Sequence, residues 1–208
     1  MRIIAGTFRS RTLAAPPGLS TRPTSDRLRE TLFNVLAPRI EGAAFLDLYA
    51  GSGAVGLEAF SRGAARVSFV ERAPAALKVL NGNLERLGIG TGVRLHAKSV
   101  SAFLRGVAGP NSKQEKSPKP EKSPKPERYE VVFLDPPYDA AEEYAITLGL
   151  LGGTAAGILA HGSVVIAEHR RKQALDERYG NLARTRLLEQ GDAAMSFYAV
   201  SSNASGEQ

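Results

Sequence analysis

Cysteine is absent from the 208 residues. Its absence excludes a disulfide framework, a thiolate zinc site and a cysteine nucleophile, and it agrees with a reducing compartment. Long apolar runs are missing too. No stretch approaches the roughly 18 apolar residues of a membrane helix, and Met1 to Arg9 lacks the apolar region of a signal peptide, so a cytoplasmic protein is expected. Histidine is scarce: His96, His161 and His169 stand far apart without ligand spacing. They are expected to be structural or solvated, and no metal site is expected. What remains is an ordinary soluble composition, long enough for one large domain with a proper core.

The net charge is +6, and its placement is uneven. Residues 1–39 carry seven arginines against Asp26 and Glu30, while residues 111–128 carry six basic against three acidic side chains. The rest of the chain is slightly acidic. Clustered cations at one edge of a near-neutral body suit a polyanion, because they contact phosphates and release counterions. Arg2, Arg9 and Arg11 fall on a short Gly-interrupted hairpin over residues 2–13. Thr21 to Ser25 then lead into a helix whose Leu28, Leu32, Val35 and Leu36 share one face. On this reading the helix docks and its arginines stay outside. Residues 1–40 thus form an extension, and 41–201 form the main domain.

Short β-rich runs alternate with helical patterns from residue 43 onward, the signature of βαβ units and a mostly parallel sheet. Expected strands are 44–48, 66–70, 93–96, 130–134 and 163–167, with helices over 55–62, 74–87, 100–105 and 141–151. Pro74 opens the second of these helices and Gly88 follows it, the usual polarity of helix ends. Two later runs, 182–188 and 194–200, flank Glu189-Gln190-Gly191-Asp192 and read as a closing antiparallel hairpin. The charged run Glu168 to Lys172 reads as a rim. Residues 111–128 contain a repeated Glu-Lys-Ser-Pro-Lys-Pro and are expected to be a disordered insertion; 202–208 are expected to be a frayed tail.

Two motifs carry chemistry. Gly51-x-Gly53-x-x-Gly56 follows the first strand and opens a helix, and Glu71 ends the next strand, where an acid accepts hydrogen bonds from a ribose. A nucleoside-bearing cofactor is therefore expected. Asp47, four residues before the first glycine, places negative charge where a pyrophosphate would be repelled and a sulfonium and ammonium welcomed. It favours S-adenosylmethionine. The second motif is Asp135-Pro136-Pro137-Tyr138, after Val131-Val132-Phe133-Leu134. Two prolines stiffen the turn, and the Asp135 carboxylate and Pro136 carbonyl can accept both hydrogens of an exocyclic amine while Tyr138 stacks on the base. Because the donor is already activated, orientation and polarisation of a poor nucleophile are the main catalytic tasks. Pyrimidine C5 methylation commonly uses a thiolate, so the missing cysteine favours an amine target.

Arg22 to Asn34, Asp47 to Gly53 and Asp135 to Tyr138 together resemble the RsmD family of bacterial 16S ribosomal RNA guanine-N2 methyltransferases. The likeness runs from Arg2 to about Val200, apart from the Lys-Pro insertion. It implies a Rossmann-like class I α/β fold: a mostly parallel seven-stranded sheet with a terminal antiparallel hairpin and a small N-terminal extension. It further implies S-adenosylmethionine held by Asp47, Tyr49, Gly51, Ser52, Gly53, Glu71, Arg72, Lys98 and Ser99. RNA contacts fall to Arg2, Arg9, Arg11, Arg22, Arg27 and Arg29. The implied substrate is guanine 966, in the family's numbering, of 16S rRNA in the assembled or assembling small subunit, met by a monomer. The chain departs from the pattern at Lys98-Ser99, where relatives often carry a small or acidic pair. An adenine-N6 methyltransferase, a nicotinamide oxidoreductase and a non-catalytic RNA-binding assembly factor are the competing readings.

Overall fold

The computed structural model describes residues 1–15, 26–108, 127–137 and 140–201. After α1 (Asp26–Ile40) come β1 (Ala44–Leu48), α2 (Ala54–Ser61), β2 (Arg66–Glu71), α3 (Pro74–Leu87), β3 (Val93–Ala97), α4 (Val100–Val107), β4 (Tyr129–Leu134), α5 (Glu142–Leu151) and β5 (Leu159–Arg170). The chain closes with β6 (Arg178–Tyr179), β7 (Leu182–Gln190) and β8 (Ala193–Val200). One sheet holds all eight strands in the order β3-β2-β1-β4-β5-β8-β7-β6. The first five are parallel, and β8, β7 and β6 run antiparallel to their neighbours. Seven strands match the expected ones; the eighth, β6, is a two-residue edge piece too short to read from any periodicity.

Strand order reverses between β1 and β4, which makes that pair the topological switch point where open α/β sheets bind ligands. Alternation sorts the two faces. Phe45, Val131 and Phe133 share a core with α1, α2 and α3, whereas Leu46, Leu48, Val132 and Leu134 pack with α4 and α5. β1 is buried along its whole length, as a central parallel strand must be. At α3 the reading of the ends holds: Pro74 stands in the first turn and Gly88 caps the helix in the left-handed conformation.

The N-terminal segment does not pack as a separate body. Ile3 and Leu13 are buried in the same core as Phe45 and Leu57, and Arg2 and Thr12 form an antiparallel bridge. Its anchor is Glu58 of α2, which is fully buried and accepts hydrogen bonds from the Ile4 and Ala5 amides at 2.7 and 3.0 Å. Ser61, one turn on, accepts from the Phe8 amide and donates to the Ala5 carbonyl. Arg62 pairs with Glu58 at 2.7 Å. Arg29 corrects the expectation that the α1 arginines stay outside: it is fully buried, with its guanidinium beside Glu58 and bonded to Asp26 and the Arg2 carbonyl. It secures the fold and offers RNA no charge. Arg2, Arg9, Arg11 and Arg27 are exposed, and Arg22 lies outside the described residues, as do most of 111–128 and all of 202–208.

Removing one partner of a buried charge network leaves the others uncompensated. Glu58→Gln keeps the shape and deletes the charge facing Arg29. Chemical denaturation is expected to show a loss of about 3 kcal/mol, and a loss below about 0.5 kcal/mol, the level of ordinary surface substitutions, would show that the anchor is not electrostatic.

Candidate active site

A cleft of about 380 Å³ opens at the carboxyl ends of β1, β2 and β4. Register explains why the two motifs meet there. Asp47 pairs with Phe133 and Leu48 with Leu134, so the loops that begin at Tyr49 and Asp135 leave adjacent strands at the same level. Asp47, Tyr49, Gly51 and Ser52 line one wall, and Asp135, Pro136 and Pro137 line another. Glu71 and Arg72, and then Lys98 and Ser99, complete it from β2 and from the turn after β3. Gly53 does not line the cleft, and Tyr138 lies outside the described residues.

Each loop residue has a local reason to be where it is. Gly53 has φ of +78°, where a side chain is strained, and a Cβ there would come within 2.2 Å of Leu80 Cδ1 and force that side chain to shift. At Gly56 a Cβ would meet Phe69 Cε1 at 2.3 Å and Asp47 Oδ2 at 3.0 Å. This third glycine lets α2 lie against β1 and β2, and its amide donates to Asp47 Oδ2 at 2.8 Å. Glu71 accepts three backbone hydrogen bonds, from Gly51 at 2.9 Å and from Arg72 and Ala73 at 2.7 Å each. The acid expected to hold a ribose is thus also the strut of the glycine loop. A carboxylate offers about four acceptor positions, so a hydroxyl still has room. Ser99 caps α4 by accepting from the Ala102 amide, which accounts for a serine at this departure from the family pattern. Lys98 beside it is exposed.

The electrostatics are those of crowded acids. Burial pushes the Asp47 carboxyl up to about 8, with Glu71 adding to the shift and the Gly56 amide opposing it. Asp135 is held well above the ordinary carboxylate range by burial first, then by Glu168 and Asp47. Glu168, read from the sequence as part of a rim, is buried on β5 at this centre, because β5 extends three residues past Ala167. His169 beside it is buried and bonds the Arg170 carbonyl and Ser196 Oγ. Among the described residues no group of His, Cys, Asp and Glu could hold a metal ion. A cleft whose acids resist ionising together favours a cationic occupant, and the sulfonium and ammonium of S-adenosylmethionine fit that demand.

Three contacts were not visible in the sequence. Met1 reaches the cleft, with Ser52 Oγ 3.9 Å from its sulfur. Asn83 of α3 is fully buried and ties the Ala14 amide and carbonyl to the Ser52 carbonyl, at 2.8, 3.1 and 3.0 Å, so the N-terminal segment edges the cleft. Tyr49, in the left-handed region at φ of +62°, donates from its hydroxyl to Glu143 at 2.8 Å and stands 2.7 Å from Thr147 Oγ1. Tyrosine rarely adopts that backbone, and these bonds to α5 hold it there.

Sheet order, glycine loop and acidic cleft define the Rossmann-like class I methyltransferase fold. The chain belongs to the RsmD family: residues 1–199 match the family described as conserved hypothetical protein 95. It is 33% identical over 198 residues to the Bacillus subtilis protein named "Putative rRNA methyltransferase YlbH", covering 95% of this chain and 98% of that one. It is 40% identical over 138 residues to Ribosomal RNA small subunit methyltransferase D of Escherichia coli K12, covering 66% of this chain and 60% of the relative. Among solved structures, yhhF of Escherichia coli superposes with a TM-score of 0.76 at 33% identity, covering 95% of this chain and 96% of that one. TTHA0928 of Thermus thermophilus gives 0.71 at 31%, covering 95% and 98%.

A cation beside Asp47 favours the ionised form, so binding below pH 8 must displace its proton. Affinity for S-adenosylmethionine is therefore expected to rise about tenfold from pH 5.5 to 7.0, with proton release in calorimetry across two buffers. Asp47→Asn should flatten the profile; a flat profile in the unaltered protein would show that Asp47 does not face the charge.

Proposed function

We propose that the protein transfers a methyl group from S-adenosylmethionine to the exocyclic N2 amine of guanine 966, in the family's numbering, of 16S rRNA in the small ribosomal subunit. The observation that carries the reading is the shared level of the Asp47 and Asp135 loops at the switch point, within one acidic cleft. Membership of a family whose named relatives are rRNA methyltransferases supports the substrate. When bound, S-adenosylmethionine supplies an activated methyl on a cationic sulfur.

The chain's own residues do the rest. Asp47 and Glu71 set the glycine loop and hold negative charge toward the donor. Asp135 and the Pro136 carbonyl accept the two amine hydrogens and turn the nitrogen lone pair toward the methyl. The Pro137 carbonyl takes the Ala140 amide at 2.9 Å, which stiffens the turn and leaves Pro136 as the carbonyl for the substrate. As the methyl bonds, the amine proton becomes acidic, and the Asp135 carboxylate, in its ionised form, accepts it. Tyr138 stacks on the base. Arg2, Arg9, Arg11 and Arg27, with Arg22, supply phosphate contacts from the N-terminal segment, which Asn83 fastens beside the cleft.

Incubating labelled donor with unmodified 30S subunits, naked RNA and duplex DNA, and then identifying the modified nucleoside, tests the assignment. N2-methylguanine in the subunit is expected; N6-methyladenine would replace the reading with the adenine enzyme, and binding of NADH alone would replace it with an oxidoreductase. Asp135→Ala is expected to lower transfer by about a thousandfold while RNA and cofactor binding persist, and unchanged transfer would remove Asp135 from the chemistry. Replacing Arg9 and Arg11 together with Ala should weaken RNA binding and reduce the slope of log K against log salt by about one to two. An unchanged slope would move the RNA surface elsewhere.

A further inference from the structure

We propose that Glu143 is a specificity-determining residue that accepts the N1–H of the target guanine and rejects bases whose N1 is itself an acceptor. The inference rests on the guanine-N2 reading above and deepens it. Glu143 lies in the first turn of α5 and lines the cleft on the same side as Pro136, Pro137 and Ala140. Its Oε2 is taken by the Tyr49 hydroxyl at 2.8 Å, and that hydroxyl is braced by Thr147 Oγ1 at 2.7 Å. Thr147 is fully buried and Tyr49 sits on a left-handed backbone, so the carboxylate is aimed by a rigid support. Its Oε1 has no hydrogen-bond partner among the described residues.

The count of hydrogen bonds gives that oxygen a task. Guanine presents two N2 hydrogens and one N1 hydrogen on its pairing edge. Asp135 and the Pro136 carbonyl accept the two from N2, and the Pro137 carbonyl is engaged by Ala140. N1–H then requires another acceptor once the base occupies the cleft, because a donor buried without a partner is costly. Asp47 and Glu71 stand on the donor wall, and Glu168 does not line the cleft, so Glu143 is the carboxylate on the base-facing wall that remains. Against a base with a lone pair at N1 the same oxygen is repulsive, and a site built on hydrogen bonds discriminates through such mismatches.

The test uses 16S rRNA assembled into subunits with guanine or 2,6-diaminopurine at the target position. Both bases carry the N2 amine; only guanine has N1–H. The unaltered protein is expected to methylate guanine at least about a hundredfold more efficiently. In Glu143→Gln the side-chain oxygen keeps the Tyr49 bond and turns an amide donor toward N1, so the preference should contract about tenfold or more. Affinity for S-adenosylmethionine and the melting temperature should stay unchanged. An unaltered guanine to diaminopurine ratio, with a loss of cofactor affinity or stability instead, would show that Glu143 only props Tyr49 and would overturn the proposal. If the unaltered protein forms no N2-methylguanine at all, the guanine-N2 reading itself fails and this inference falls with it.

Discussion

The parallel register between β1 and β4 is the constraint on which the site depends. Parallel strands place equivalent ends side by side, so a pairing that sets Leu48 against Leu134 forces the next residues of both chains into one crevice. Eighty-six residues separate these loops in sequence, counting from Tyr49 to Asp135. A slip of one residue would turn Asp47 to the opposite face, toward α4 and α5, and break its bond with Gly56. Continuous burial of β1 and of most of β4 makes that slip expensive, because every buried side chain would change sides at once.

Crowded acids at such a crevice oppose folding. Burial disfavours the ionisation of Asp47 and of Asp135, with Glu71 adding to it at Asp47 and Glu168 and Asp47 adding to it at Asp135. Because the folded-state pKa of Asp47 lies above its unfolded value, its contribution to stability is complete at low pH and is lost as pH rises towards about 8. The fold tolerates this by anchoring its parts with backbone hydrogen bonds: Asp47 to Gly56, and Glu71 to Gly51, Arg72 and Ala73. These bonds orient both carboxyl groups before any ligand arrives. A cationic donor then meets acceptor oxygens already in place, and its charge favours the ionised form of Asp47 with little rearrangement.

Much of this was legible in the chain because it is local. The five parallel strands and their helices announce themselves through period and through Pro74 and Gly88; the glycine loop follows from spacing. What escaped depends on partners far away. Arg29 looked like a surface residue because it is charged, yet Arg29, Phe33, Leu36 and Ile40 recur at helical spacing and are all buried. Charge hid the pattern, and its compensating acid, Glu58, sits on another helix. Glu168 was misplaced because β5 outruns its apolar stretch, continuing through pairing with β8 up to Arg170. Tyr49, Glu143 and Thr147 give no joint signal at all, being brought together only when α5 packs over the end of β1.

That last contact changes how the two halves of the site should be regarded. The donor loop and the acceptor turn are neighbours by register, but register alone leaves each loop free to move. Tyr49 belongs to the donor loop, and its hydroxyl ends on α5, which follows directly from the acceptor turn. Holding a non-glycine residue in the left-handed region costs on the order of 1 kcal/mol, and two hydroxyl bonds in a partly buried setting offset about that much. The strained conformation is therefore stable only while α5 is in place. Donor and acceptor walls are set by one shared contact, so a shift in either displaces the other, and methyl transfer, which fails when reacting atoms drift by about 1 Å, depends on keeping them together.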